Sequence, residues 1–132
     1  MAAITRKVLA PEAAPKALGP YSLGIAAGDL VFASGTIGID PGSGKLVDGG
    51  VEAQTHQALV NLAEILKAGG SSLAHVAKTT VFMTDLRAFG EMNAVYAGFF
   101  SDRPPARSTI QVAALPGGAL VEIEAIGIVA FP

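Results

Sequence analysis

The chain contains no cysteine and no tryptophan, has two tyrosines, and devotes only 15% of its 132 residues to charged side chains. Without cysteine it forms no disulfide and offers no thiolate, so stability rests on packing, and a reducing, cytoplasmic setting is expected. No apolar run approaches the ~18 residues of a membrane span. The opening stretch, MAAITRKVLAPEAAPKALGPY, carries prolines where a signal peptide keeps its apolar segment, so a soluble, unprocessed protein is expected. A net charge of −2 and a pI near 5.6 exert no general pull on phosphate backbones or anionic lipid. With so few aromatic side chains there is no evident platform for stacking bases. The expected partner is a small molecule, with neither membrane nor nucleic acid.

Other absences narrow the chemistry further. His56 and His75 stand apart, with no partner at ligand spacing, so no metal is expected. DPGSGKL (40 to 46) fails the spacing of a phosphate loop and places Leu46 where the hydroxyl belongs, which leaves it a turn. Ser34 and Ser71-Ser72 lack the strand-to-helix elbow of a serine nucleophile.

What is present is apolar. Hydrophobic residues make up 51% of the chain and the mean hydropathy is +0.50, more than a lone sphere of this size covers with its few charges. Part of that surface is expected to be hidden between subunits. The length fits one domain, residues 1–132.

Residues 4 to 8 alternate as an edge strand, and the proline-rich APEAAPKALGP that follows is loop. YSLGIAAGDLVFASGTIGI reads as two strands turning at Gly28-Asp29. From Val51 the period becomes helical, with Ala58, Leu59, Leu62, Ala63 and Leu66 on one side and Glu52, Gln57, Asn61, Glu64 and Lys67 on the other, until Gly69-Gly70. HVAKTTVFMT alternates as a strand. Thr84 or Asp85 then caps a second helix whose stripe is Leu86, Phe89, Met92, Val95, Tyr96 and Phe99. SDRPP ends it, and strands over 106 to 114 and 119 to 130 flank LPGG. The order βββαβαββ predicts an α+β sheet with both helices on one face. The other face then needs an occupant.

The last two strands hold the informative charges. Alternation puts Arg107, Thr109 and Gln111 on one side of their strand, and polarity places that side away from the helices. In the final strand Val121, Ile123, Ala125, Gly127, Val129 and Phe131 form a wholly apolar side that belongs under the helices. The opposite side begins with Glu122 and Glu124 and ends with Ile126, Ile128 and Ala130, a pattern suited to a subunit interface with a polar pocket at one end. The plain reading is a solvated ion pair of Arg107 with Glu122 or Glu124. Yet a tight hairpin about Gly117 would hold Arg107 and Glu122 roughly 15 Å apart. They meet only if another strand separates the arms or a neighbouring chain supplies one of them.

GPYS (19 to 22), VFASGTIGIDPGSGKLV (31 to 47), MNAVYAGFF (92 to 100), PARS (105 to 108) and ALVEIEAI (119 to 126), with the helix and strand of residues 52 to 86, together resemble the reactive intermediate deaminase family, also called Rid, YjgF or L-PSP. The resemblance runs in order along nearly the whole chain, and PARS followed by EIEA is its specific part. It implies a chorismate-mutase-like α+β fold with a mixed sheet, in which the final strand lies beside the third and fourth, assembled as a homotrimer with clefts between subunits. The implied activity is that of a 2-iminobutanoate/2-iminopropanoate deaminase, hydrolysing enamines and imines to 2-keto acids and ammonia without a cofactor. On this resemblance Arg107 receives the substrate carboxylate with its planar fork, and Glu122 handles the water and the protons at the imine nitrogen. Tyr21 would close the cleft, Ser34 and Gly35 would offer backbone donors, and Asn93 and Thr109 would line the wall. Thr36 and Gly38 stand where many relatives carry glutamine and proline, Thr109 where a cysteine is common, and Leu23 where glutamine is frequent. Two other functions compatible with the resemblance are a trimeric binding module for 2-keto acids or amino-acid analogues, and an endoribonuclease or translation inhibitor. The acidic pI argues against the last.

Overall fold

The computed structural model describes residues 3 to 130. Strands β1 (Arg6–Leu9), β2 (Gly24–Ala27) and β3 (Leu30–Ile37) precede helix α1 (Gly50–Ala68), and β4 (Val76–Met83), α2 (Phe89–Phe99), β5 (Ala106–Gln111) and β6 (Val121–Ile128) follow, in the expected βββαβαββ order. Gly28 makes the β2–β3 turn at φ 58°, a conformation open to glycine at little cost. Asp85 caps the single 3-10 turn that leads into α2, its carboxylate accepting the Arg87 N–H. The first strand starts two residues later than the alternation predicts, the last two are shorter than expected, and Phe131 lies outside the described residues.

The six strands form one mixed sheet in the order β1-β2-β3-β6-β4-β5. Every neighbouring pair is antiparallel except β4 with β5, which is parallel. The final strand therefore lies between β3 and β4, and β4 separates it from β5, so the last two strands are not a hairpin.

Both helices cover one face. Leu59, Leu62, Ile65 and Leu66 of α1 and Met92 and Tyr96 of α2 pack with Val81, Met83, Val121 and Ile123 in a single buried cluster. The apolar side of β6 lies under the helices as expected, with Val121, Ile123, Ala125 and Gly127 buried. Asn61, which the helical period puts on the polar side of α1, is instead buried, its amide donating to the carbonyls of Ile37 and Ile39 at 3.1 and 2.8 Å. Those two carbonyls lie where the chain leaves β3, and a buried carbonyl needs a donor. Gln54 plays the same part for the backbone N–H of Leu120, at 2.8 Å. Helical periodicity cannot distinguish such residues from solvated ones, because the need they meet arises from another segment.

The uncovered face is apolar. Leu30, Phe32, Ile110 and Ile128 are each 39 to 46% exposed there, in a surface interrupted by Lys78, Thr80, Glu122 and Glu124.

Candidate functional site

The residues implicated by the sequence fall into two groups. Thr79 of β4 is level with Arg107 of β5, Val81 with Thr109, and Met83 with Gln111. Residues level with one another in a ladder share a face, so Arg107, Thr109 and Gln111 lie on the helix side, not away from it as their polarity predicts. Alternation separates two sets; it does not say which set meets the helices. Because β5 is the edge strand, α2 reaches it only with its flank, and that flank presents groups that accept polar neighbours. The Arg107 guanidinium carbon lies 4.7 Å from the centre of the Tyr96 ring and 5.5 Å from that of Phe89. Gln111 accepts the N–H of Leu86, just ahead of α2, at 2.8 Å. Phe89, Asn93 and Tyr96 are spaced i, i+4 and i+7, which sets Asn93 on the stripe that meets Arg107. The Thr109 hydroxyl is buried with no hydrogen-bond partner among the described residues.

Arg107 is half-buried, and among the described residues the ion pairs are Arg87 with Asp85 and Arg103 with Asp102, neither of which involves it. Aromatic faces hold a guanidinium from above or below. They leave its in-plane N–H groups for a carboxylate, which a protein carboxylate at this position would have consumed. In the sequence Phe89 and Tyr96 stand only as members of an apolar stripe, and nothing in the linear chain marks that stripe as next in space to an arginine.

The second group is on the uncovered face. Glu122 is level with Phe82 of β4, and its carboxyl sits against Gly35 of β3. β3 bulges here: Ala33 faces Ala125 and Thr36 faces Ile123, so Ser34 and Gly35 together oppose Glu124. A Cβ on Gly35 would lie 2.6 Å from the Glu122 carboxyl carbon, and glycine is what admits the side chain. We expect Gly35→Ala to force the Glu122 carboxyl out of this slot and to destabilise the fold, read as a lowered melting temperature and a shifted Glu122 titration. Glu122, Gly35, Ser34 and Tyr21 line an open hollow with Phe82 and Glu124. Tyr21 is 45% exposed at its rim and its hydroxyl accepts the N–H of Leu18 at 3.1 Å. Ser34 donates its N–H to the Leu23 carbonyl at 2.9 Å and its hydroxyl to the Ser22 carbonyl at 2.6 Å. Its expected role as a backbone donor is thus already spent on holding the 19 to 23 loop. Thr36 is buried too, its hydroxyl 3.0 Å from the carbonyls of Ala58 and Ile123, so it ties β3 to α1 and β6 and does not face the hollow as a donor.

Partial burial, and secondarily the Glu124 charge two residues along, raise the Glu122 carboxyl above its usual range. A raised carboxyl favours the folded chain only while protonated, so its contribution is full below the ordinary carboxylate range and is lost as pH rises through the raised value. In a lone copy Glu122→Gln is therefore expected to melt higher than the unaltered chain at neutral pH, with the difference closing as the pH falls below that range. The reverse trend would show that a second copy sets a cation against Glu122.

Arg107 and Glu122 are not neighbours within one chain. Their levels on β4, Thr79 and Phe82, differ by three residues, β4 stands between their strands, and their side chains leave opposite faces of the sheet. At the usual strand rise and spacing their Cα atoms are about 14 Å apart. Inserting a strand between the arms, expected to bring the two charges into one cleft, does not do so. The histidines stay outside both groups: the His56 ring meets the edge of Phe99, and Nδ1 of His75 lies 2.8 Å from the Ser72 hydroxyl.

Residues 11–129 match the profile of the family described as Endoribonuclease L-PSP. The chain belongs to this family. Among its L-PSP relatives is the 2-iminobutanoate/2-iminopropanoate deaminase of Mus musculus, 48% identical over 128 residues that span 97% of this chain and 95% of that protein. The crystal structure of the E. coli YjgF gene product superposes with a TM-score of 0.89 at 41% identity, covering 92% of this chain and 98% of that one. E. coli TdcF with bound serine gives a TM-score of 0.88 at 40% identity, with the same coverage. The fold of this L-PSP chain is thus the YjgF/Rid fold that the resemblance implies. Among the described residues no helix is long and apolar enough to cross a membrane.

Proposed function

We propose that the chain is a cofactor-independent enamine/imine deaminase of the 2-iminobutanoate/2-iminopropanoate type, working in the cytoplasm as a homotrimer whose active sites are built from two copies. The observation that carries this reading is the split of the site: a cation with its N–H fork free on one edge, and a raised carboxyl in a glycine slot on the opposite face. Each half lacks what the other has. A second copy laid on the uncovered face, with its apolar Phe32, Ile110 and Ile128, would bring one copy's Arg107 to another's Glu122. Serine bound to the TdcF relative has the carboxylate that such a cation takes.

In this site Arg107 pairs with the substrate carboxylate and fixes the adjacent imine carbon. Glu122 takes a proton from water as its oxygen adds to that carbon, and the proton passes to the nitrogen, giving a carbinolamine. Transfer of the hydroxyl proton to nitrogen then breaks the C–N bond, leaving 2-keto acid and ammonia. A carboxyl held above its ordinary range by partial burial suits both transfers. Asn93 and Thr109 border the cation half; Tyr21, Ser34 and Gly35 border the acid half.

The assay generates 2-iminopropanoate with an amino-acid oxidase, traps it with semicarbazide, and follows how much adduct is lost when the protein is present. Catalytic amounts are expected to suppress the adduct. An unchanged yield, with a 2-keto acid still raising the melting temperature, would turn the reading to a binding module.

A further inference from the structure

The Arg107 guanidinium rests chiefly on one ring, and that ring is itself fixed. Tyr96 is 5% exposed and Thr79 is fully buried, and their hydroxyls meet at 2.7 Å. Thr79 is the β4 residue level with Arg107, so β4 holds the tyrosine tip, the tyrosine ring carries the guanidinium, and β5 carries the arginine backbone. The three form a closed triangle across two strands and a helix. An Arg side chain has four rotatable torsions and loses considerable freedom when it must present one edge to a ligand. A ring locked beneath it removes part of that cost before the ligand arrives. Phe89 contributes less, being 40% exposed and farther away.

We propose that Tyr96, seated by Thr79, is a positioning residue that orients the guanidinium of Arg107 for carboxylate capture. The inference rests on Arg107 being the carboxylate receptor of the function proposed above. Tyr96 touches no reacting atom in this arrangement. It acts on substrate and transition state alike, so its removal raises KM and leaves kcat nearly unchanged.

Tyr96→Leu is expected to raise KM for 2-iminopropanoate, and the Kd for 2-oxobutanoate, about 10-fold, as loss of a partly desolvated cation–π contact implies. Tyr96→Phe and Thr79→Val each keep a ring or its seat but lose the hydrogen bond, and each is expected to cost about 3-fold. The double variant costs no more than either single one, because both remove the same bond. In an Arg107→Ala background Tyr96→Phe changes neither constant further. The Phe and Val variants decide the matter if Tyr96→Leu fails to fold. Unaltered KM and Kd in them, additive losses, or equal losses in the Arg107→Ala background would overturn the proposal. Binding of 2-oxobutanoate is measured without turnover, so a protein that binds but does not deaminate sinks the proposed activity while this test still stands.

Discussion

Replacing Arg107 by alanine is expected to lower kcat/KM for 2-iminopropanoate by about 10²- to 10³-fold, the effect of losing a bidentate charge-assisted pair worth several kcal/mol in a partly desolvated site. The Arg107→Lys variant keeps the charge and yet is expected to lose about 10- to 100-fold, because an ammonium offers no planar fork and stacks poorly on Tyr96 and Phe89. The fold has little at stake in either change: β5 is an edge strand and no carboxylate among the described residues pairs with Arg107. Melting temperatures close to that of the unaltered protein should accompany both losses. Near-normal turnover by Arg107→Lys would show that a point charge suffices and that the carboxylate is held in some other way.

Mixing two impaired variants should restore activity. Arg107→Ala and Glu122→Ala, each reduced about 10²-fold or more alone, are expected to yield about one quarter of wild-type activity per site when unfolded and refolded together in equal amounts, since in a closed ring each site draws its arginine from one copy and its glutamate from the next. Half of the copies retain Arg107, and half of their neighbours retain Glu122. Were the site contained in one chain, every site would lack one of the two groups and no activity would return. Separate refolding followed by simple mixing serves as the control, because exchange between formed assemblies is slow when apolar faces such as those of Phe32 and Ile128 are sealed. The geometry behind this expectation is the opposite-face placement of the two residues about 14 Å apart, which no side-chain rotation bridges through a packed sheet.

The sequence by itself determined the order of elements, the two helices and the apolar underside of β6, which follow from local periodicity, while its resemblance to the L-PSP family singled out Arg107 and Glu122 as the charged groups to examine. Only the tertiary structure decided where those groups point. Arg107 was expected to face away from the helices because it is polar; the parallel pairing of β5 with β4 sets it level with Thr79, against Tyr96. Asn61 was expected in solvent, and it serves two carbonyls at the end of β3. Ser34 was expected to donate to substrate, and it holds the loop before β2. In each case the deciding partner is far away in sequence, and a periodic pattern carries no information about it. Which strand neighbours which, and in what register, is settled by long-range pairing, and that pairing sets Arg107 and Glu122 on opposite faces of one sheet.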